Sequence, residues 1–295
     1  MDDFHVVTVA TQSKYYFPYL VQSCKRHGKE LEVLGYGEKW GGFNHKNRKM
    51  VEYLKTLPSK HIVCFVDGYD VLCVRDLKEM KDAFIQIQKE TNCKIVVAQD
   101  GADPRFKWIS RQYLKTAYGQ CQRRNINSGT YVGYSGDLLE ILQNIYAENT
   151  NDKYDDQKLL TGYCKKHEDI FHFDTDSSFF GVLLKVLAEV DELVDIRNQD
   201  VYVNKNRPFF IHALFGGYLD SIIVRLGYEY DENHKIKDEI FKNMITDKLV
   251  KSLLFKYLMG GIALLVVLGV VYKYRSSLFT IAKKIRKPTI NLKRK

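Results

Sequence analysis

The chain has 295 residues, 45% of them apolar and 13% aromatic, which is ample for a folded core and excludes a low-complexity or disordered protein. A net charge of +9 points at first to nucleic acid, but residues 273–295 alone hold nine Lys or Arg and no acid. The rest balances 36 basic against 36 acidic residues, so the body is neutral and no nucleic-acid partner is expected.

In chain order, MDDFHVVTVA enters a strand pattern at once (5–10) without a charged region followed by a long apolar one, so no secretory signal is expected. A helix follows at 15–26 with Pro18 near its first turn, then LEVLGY (31–36) as strand and a helix at 45–57. HIVCFV (61–66), a helix at 76–90, KIVVA (94–98) and TYVGY (130–134) continue the alternation. Helices near 137–149 and 155–167 and a strand FFIHA (209–213) complete it, with no internal repeat. Continuous apolar strands between helices predict an α/β domain over 1–230 with a mostly parallel sheet covered on both faces. The six cysteines, Cys24, Cys64, Cys73, Cys93, Cys121 and Cys164, show neither a CxxC pair nor metal-type spacing. They are expected to be unpaired and mostly buried thiols.

Residues 231–252 read as a polar linker or helix. Residues 253–272, LLFKYLMGGIALLVVLGVVY, read as a transmembrane helix about 30 Å long, with Lys256 snorkelling. The tail 273–295 reads as basic and amphipathic, with Leu278, Ile281, Ala282 and Ile285 on one helical face. Its charge favours the cytoplasmic side of an endoplasmic-reticulum-type membrane, which places the larger domain in the lumen. The missing signal argues the other way, and the side that domain occupies stays open.

In open α/β sheets ligands sit outside the carboxyl ends of the strands. FVDGYDV (65–71) places Asp67 and Asp70 at such an end, and Thr11 and Asp100 follow other strands in the same way. Two close carboxylates there serve as turn caps, as acid and base, or as ligands for a hard divalent cation. Gly68 permits close backbone approach, and Tyr69 offers a flat ring for a nucleotide base.

FVDGYDVL occurs in order with INSGTYVGY (126–134), YDDQKLLTGY (154–163) and FFIHALFGG (209–217). With VTVAT (7–11), LGYGEKWGG (34–42) and RKMVEYLKTL (48–57), the set resembles the glycosyltransferase domain of procollagen lysyl hydroxylases over about residues 5–220. The resemblance implies a GT-A type, Rossmann-like glycosyltransferase using a UDP-sugar and Mn²⁺. It makes Asp67, Asp70 and His212 the metal ligands and Tyr69 the ring that stacks on uracil. Val9 and Thr11 become nucleotide contacts, Lys49 a diphosphate contact, and Gly216 part of the phosphate-binding turn. Asp155, Asp156 and Gln157 fall near sugar and acceptor, with Asn127, Ser128 and Gly129 lining the same floor. Asp155-Asp156 also reads as a helix cap. Asp100, Asp155, Asp156 and Asp174 are the candidate bases for an inverting transfer.

The implied reaction moves glucose or galactose to a hydroxyl, for instance hydroxylysine or galactosyl-hydroxylysine of a collagen-like protein. The same donor chemistry on another glycan or lipid is the alternative, as is a weakly active, membrane-held UDP-sugar-binding protein. Two departures bear on this. The family's phosphate-binding lysine after the histidine has no counterpart in HALFGGY (212–218), and the second glycine after N-S-G is Thr130. No iron-binding H-x-D follows the transferase region, so lysyl hydroxylation is not expected of these residues.

Overall fold

A computed structural model describes residues 3–186, 188–214, 216–231 and 253–285. Most of the expected linker, 232–252, and the end of the basic tail, 286–295, lie outside them. The chain divides into two compact units, Met1–Lys242 and Asn243–Lys295.

The first unit is built on a six-stranded sheet. Its strands are β1 (Phe4–Val9), β2 (Leu31–Leu34), β3 (Ile62–Val66), β5 (Ile95–Gln99), β6 (Ile126–Tyr134) and β7 (Phe171–Asp174), in the order β2-β1-β3-β6-β5-β7. β1 pairs in parallel with β2 and β3, and β5 with β7, whereas β6 runs antiparallel to both its neighbours. The sheet is therefore parallel-rich with one reversed strand. That reversal sets Asn127, Ser128 and Gly129, at the start of β6, beside the carboxyl ends of β3 and β5. A register shift between Val97 and Ala98 displaces the intervening β6 residues from the β5 ladder. Such bulges re-aim backbone next to functional sites.

Period-two alternation sends opposite side chains to opposite faces. Val7, Val63, Phe65 and Val97 pack under α2 (His45–Leu54), α5 (Ser135–Glu148) and α6 (Asp156–Lys166). Val6, Cys64, Val66 and Val96 pack on the other face with Leu20 and Cys24 of α1 (Phe17–Arg26) and with Met80 and Phe84 of α3 (Lys78–Thr91). Helix ends follow local chemistry. Pro18 sits in the first turn of α1, Asn92 closes α3 at φ 56°, and the Asp155 side chain accepts the Lys158 N–H to cap α6.

The expected strand FFIHA does not join this sheet. As β11 (Phe210–Leu214) it forms a second sheet with β4 (Val71–Cys73), antiparallel, and β8 (Phe180–Leu184), parallel. β4, β7, β8 and the hairpin β9 (Asp195–Arg197) to β10 (Asp200–Tyr202) are not among the sequence expectations, nor are α4 (Lys107–Tyr118) and α7 (Asp220–Arg225). The strands are short, and α4 buries only Leu114, so neither presents a readable apolar period.

The cysteine expectation is corrected for one pair. Cys121 and Cys164 form a disulfide across 43 residues, with Cα atoms 6.0 Å apart, while Cys24, Cys64, Cys73 and Cys93 are buried free thiols. Cys121 lies in the turn between α4 and β6 and Cys164 on the buried face of α6, so tertiary packing brings the paired sulfurs together and no short spacing announces it.

In the second unit, α8 (Leu253–Ile285) runs unbroken past the end expected at residue 272. Its span Tyr257–Arg275 is, among the described residues, the helix long and apolar enough to cross a membrane by length and composition.

Candidate active site

β3 delivers Asp67 to the carboxyl edge, where its N–H donates to the Gly129 carbonyl at 2.7 Å. The chain then turns through Gly68, where a Cβ would come within 3.1 Å of both the Thr8 hydroxyl and the Ala10 methyl. β4 follows, its Val71 opposite His212 on β11, and the Ala213 N–H donates to the Asp70 carbonyl at 2.9 Å. Ligand atoms of Asp67, Asp70 and His212 thereby lie within 4.8 Å of one another. His212 Nε2 is 3.2 Å from Asp70 Oδ1 and 4.0 Å from Asp67 Oδ2.

The imidazole is aimed. Asn127 donates its amide N–H to Asp100 Oδ1 at 2.9 Å, which turns its Oδ1 to accept the Gly129 N–H at 3.0 Å and the His212 Nδ1–H at 3.2 Å. The proton thus belongs on Nδ1 and the Nε2 lone pair faces the carboxylates, the tautomer a metal ligand needs. Nε2 is buried and makes no well-directed hydrogen bond, its polar neighbours being the Asp70 and Asp67 carboxylates, a set that a shared cation would satisfy. Burial alone would depress the His212 pKa, but Asp70 and then Asp67 outweigh it and raise it. The same negative field attracts a divalent ion. A Cβ on Gly129 would stand 2.5 Å from both Asp67 Oδ2 and His212 Cε1, so only glycine leaves room there. Two carboxylates and an imidazole fit Mn²⁺ or a similar ion with coordination positions to spare.

Lys46, which the sequence reading passed over, sits at the centre. Its Nζ is 2.8 Å from Asp67 Oδ1 and 2.8 Å from Asp156 Oδ2, with all but 9% of its side chain buried. Burial opposes the charge, but Asp156 and Asp67 outweigh it and raise the lysine pKa, so the ammonium persists. Lys49, expected at the diphosphate, instead pairs with Glu38 at 2.6 Å and Glu52 at 3.3 Å. The signal separating the two lysines was helical phase: Lys46 shares the buried face of Met50 and Leu54, which Lys49 does not.

Beyond Asn127, Asp100 Oδ2 accepts the Gln157 amide at 2.8 Å. Burial pushes the Asp100 carboxyl up to about 6, against the lowering effect of its bonds from Asn127 and Gln157. Asp155 caps α6 and is half-buried, whereas Asp156 is buried against Lys46. Asp174, a candidate base by sequence, spends its carboxylate on the N–H groups of Ser178, Phe179 and Phe180. It organises the turn between β7 and β8 and is not free to act as a base. On the other flank, the Tyr69 hydroxyl accepts the Thr11 N–H at 3.0 Å, and Tyr15 meets its ring edge-on at 5.9 Å. These contacts hold a half-buried ring beside Asp70. Val9 faces the core, so β1 offers backbone and Thr11 there, and Gly216 turns at φ 71° after β11.

A family profile described as "PLOD GT domain" matches residues 1–215. The chain is 30% identical over 170 residues to a multifunctional procollagen lysine hydroxylase and glycosyltransferase of Caenorhabditis elegans, covering 53% of this chain and 22% of that protein. It is 26% identical over 229 residues to a procollagen-lysine,2-oxoglutarate 5-dioxygenase of Drosophila melanogaster, covering 72% of this chain and 30% of that protein. The chain thus spans less than a third of the length of these curated relatives. Among solved structures, a glycosyltransferase involved in glycosylation of the major capsid of PBCV-1 aligns with a TM-score of 0.41 and 11% identity, over 71% of this chain and 93% of that one. At that score the likeness carries no further weight.

Proposed function

The chain belongs to the PLOD GT-domain family of glycosyltransferases, and on that premise we propose that residues 1–230 move glucose or galactose from a UDP-sugar to a hydroxyl acceptor, with Mn²⁺ held by Asp67, Asp70 and His212. The observation that carries the reading is the convergence of the buried His212 Nε2 with the Asp67 and Asp70 carboxylates, the imidazole being oriented by Asn127. When bound, the ion supplies positive charge against which UDP departs. Tyr69 stacks on uracil and Thr11 holds the ring in place. Lys46, rather than Lys49, contributes the second positive charge beside the diphosphate and keeps Asp156 in register. Asn127 positions His212 and does not touch the reacting atoms. Asp155, the more open carboxylate of its pair, faces the acceptor hydroxyl, with Asp100 behind it.

Hydroxylysine or its galactoside in a collagen-like protein is the acceptor class we favour. Residues 253–272 anchor the domain in an endoplasmic-reticulum-type membrane, with 231–252 as connector and the basic tail on the cytoplasmic face. Protease protection of tagged termini in sealed microsomes tests that anchor, because digestion of both tags without permeabilisation eliminates a spanning helix. Activity is tested by UDP release from UDP-glucose and UDP-galactose with Mn²⁺, with and without hydroxylysine peptide. Acceptor-dependent release that vanishes in Asp67→Ala and Asp70→Ala supports the proposal, and release indifferent to both substitutions defeats it. Tight UDP-sugar binding without turnover favours the binding-protein reading, which the absent lysine in HALFGGY motivates.

A further inference from the structure

Directly after Asp100 the chain makes a surface that the transferase reading does not use. Phe106, Trp108 and Ile109 are 55%, 73% and 51% exposed within four positions. Single exposed apolar side chains are ordinary, but three together on an ordered base are not. The base is Asp103, whose buried carboxylate accepts the Arg105 and Val186 backbone N–H groups, each at 2.9 Å, and the Arg105 guanidinium at 2.7 Å. Leu114 pins the other side of α4 against Leu184 and Leu214. Lys107, Arg111 and Lys115 in the same stretch are exposed, and no Asp or Glu occurs in sequence between Asp103 and Asp137, an acidic neighbour from elsewhere being Glu192, whose charge acts on Arg105.

We propose that this end of α4 docks on a bilayer surface, with Trp108, Phe106 and Ile109 in the headgroup layer and Lys107, Arg111 and Lys115 on anionic lipid phosphates. Charge complementarity favours that occupant, because Trp and Phe settle at the membrane interface and each Lys or Arg adds attraction to acidic lipid. A second copy presenting the same patch would set these cations against one another. The chain also carries a helix, Tyr257–Arg275, long and apolar enough to cross a membrane, which as the anchor proposed above would hold the chain at the same kind of surface. Docking brings the acceptor side of the site next to the headgroups, and it holds whether or not the proposed transfer reaction does.

The test uses the full chain with Trp40→Phe, which leaves Trp108 as the sole tryptophan, reconstituted in phosphatidylcholine vesicles with or without phosphatidylserine. The expected result is a blue-shifted Trp108 emission, quenched by brominated lipid and shielded from iodide when phosphatidylserine is present. Lys107→Glu with Arg111→Glu should lower the docked-to-undocked ratio at least about tenfold, with the C-terminal tether unchanged. Trp108 equally open to iodide in vesicles and in detergent, and untouched by brominated lipid, overturns the proposal. So does shielding that needs only an acceptor peptide or a rising protein concentration without lipid.

Discussion

Replacing Lys46 by Met removes one ammonium while keeping most of its aliphatic volume. At 2.8 Å from each carboxylate, each contact carries about 6 kcal/mol of Coulomb attraction at an effective dielectric near 20. Most of this is offset by taking three charges out of water. The net cost arises because Asp156, with 8% of its side chain exposed, stays charged and loses its counter-ion. Breaking a buried pair in this way costs about 3–5 kcal/mol. Urea unfolding of the full chain in detergent, followed by tryptophan fluorescence, measures it. Adding Asp156→Asn to Lys46→Met should recover at least half of the loss, since the stranded charge is gone. If Lys46→Met unfolds within about 0.5 kcal/mol of the parent, the ammonium does not hold the two carboxylates together.

Asn127→Ala should weaken Mn²⁺ binding about 10–100-fold with little change in fold, as expected for a group that orients a ligand; calorimetric titration showing unchanged affinity contradicts the aiming role. Tyr69→Ala should raise the UDP-sugar KM more than it lowers kcat, because stacking persists from ground to transition state. Tyr69→Phe should keep most of the binding while freeing the Thr11 N–H, and a pure kcat defect in Tyr69→Ala argues against stacking. Burial lifts the Asp100 carboxyl from 3.8 to about 6, so its contribution to stability is present below 3.8 and lost as pH rises through 6. The stability of Asp100→Asn relative to the parent should therefore improve between pH 4 and 7 by up to about 3 kcal/mol, and a difference flat with pH refutes the buried-acid assignment.

The α/β class, the main helices and the edge on which Asp67 emerges were legible because apolar periodicity and strand direction are local properties. Asp70 was legible for the same reason. His212 was not legible from its neighbours, since it reaches the site through a second sheet whose partner strand β4 is three residues long; only the family resemblance pointed to it. Helical phase separates Lys46, on the buried face of α2, from Lys49, whereas the family motif aligns with Lys49, one turn later. The reversal of β6 and the role of Asn127 behind the imidazole depend on pairing register, which no single strand encodes. The surface of α4 is not legible in sequence, because one buried residue, Leu114, gives no stripe.

The bridge between Cys121 and Cys164 also bears on geography. Disulfides persist in the lumen of the secretory pathway and are kept reduced in the cytosol. The two sulfurs therefore act as a record of the compartment in which the catalytic domain matured. Alkylation before and after reduction, on protein taken directly from cells, reads that record. A closed bridge in cells would support the luminal side for this domain; with 253–272 spanning the membrane, as proposed, the strongly basic C-terminal tail would then face the cytosol, the arrangement that positive charge favours.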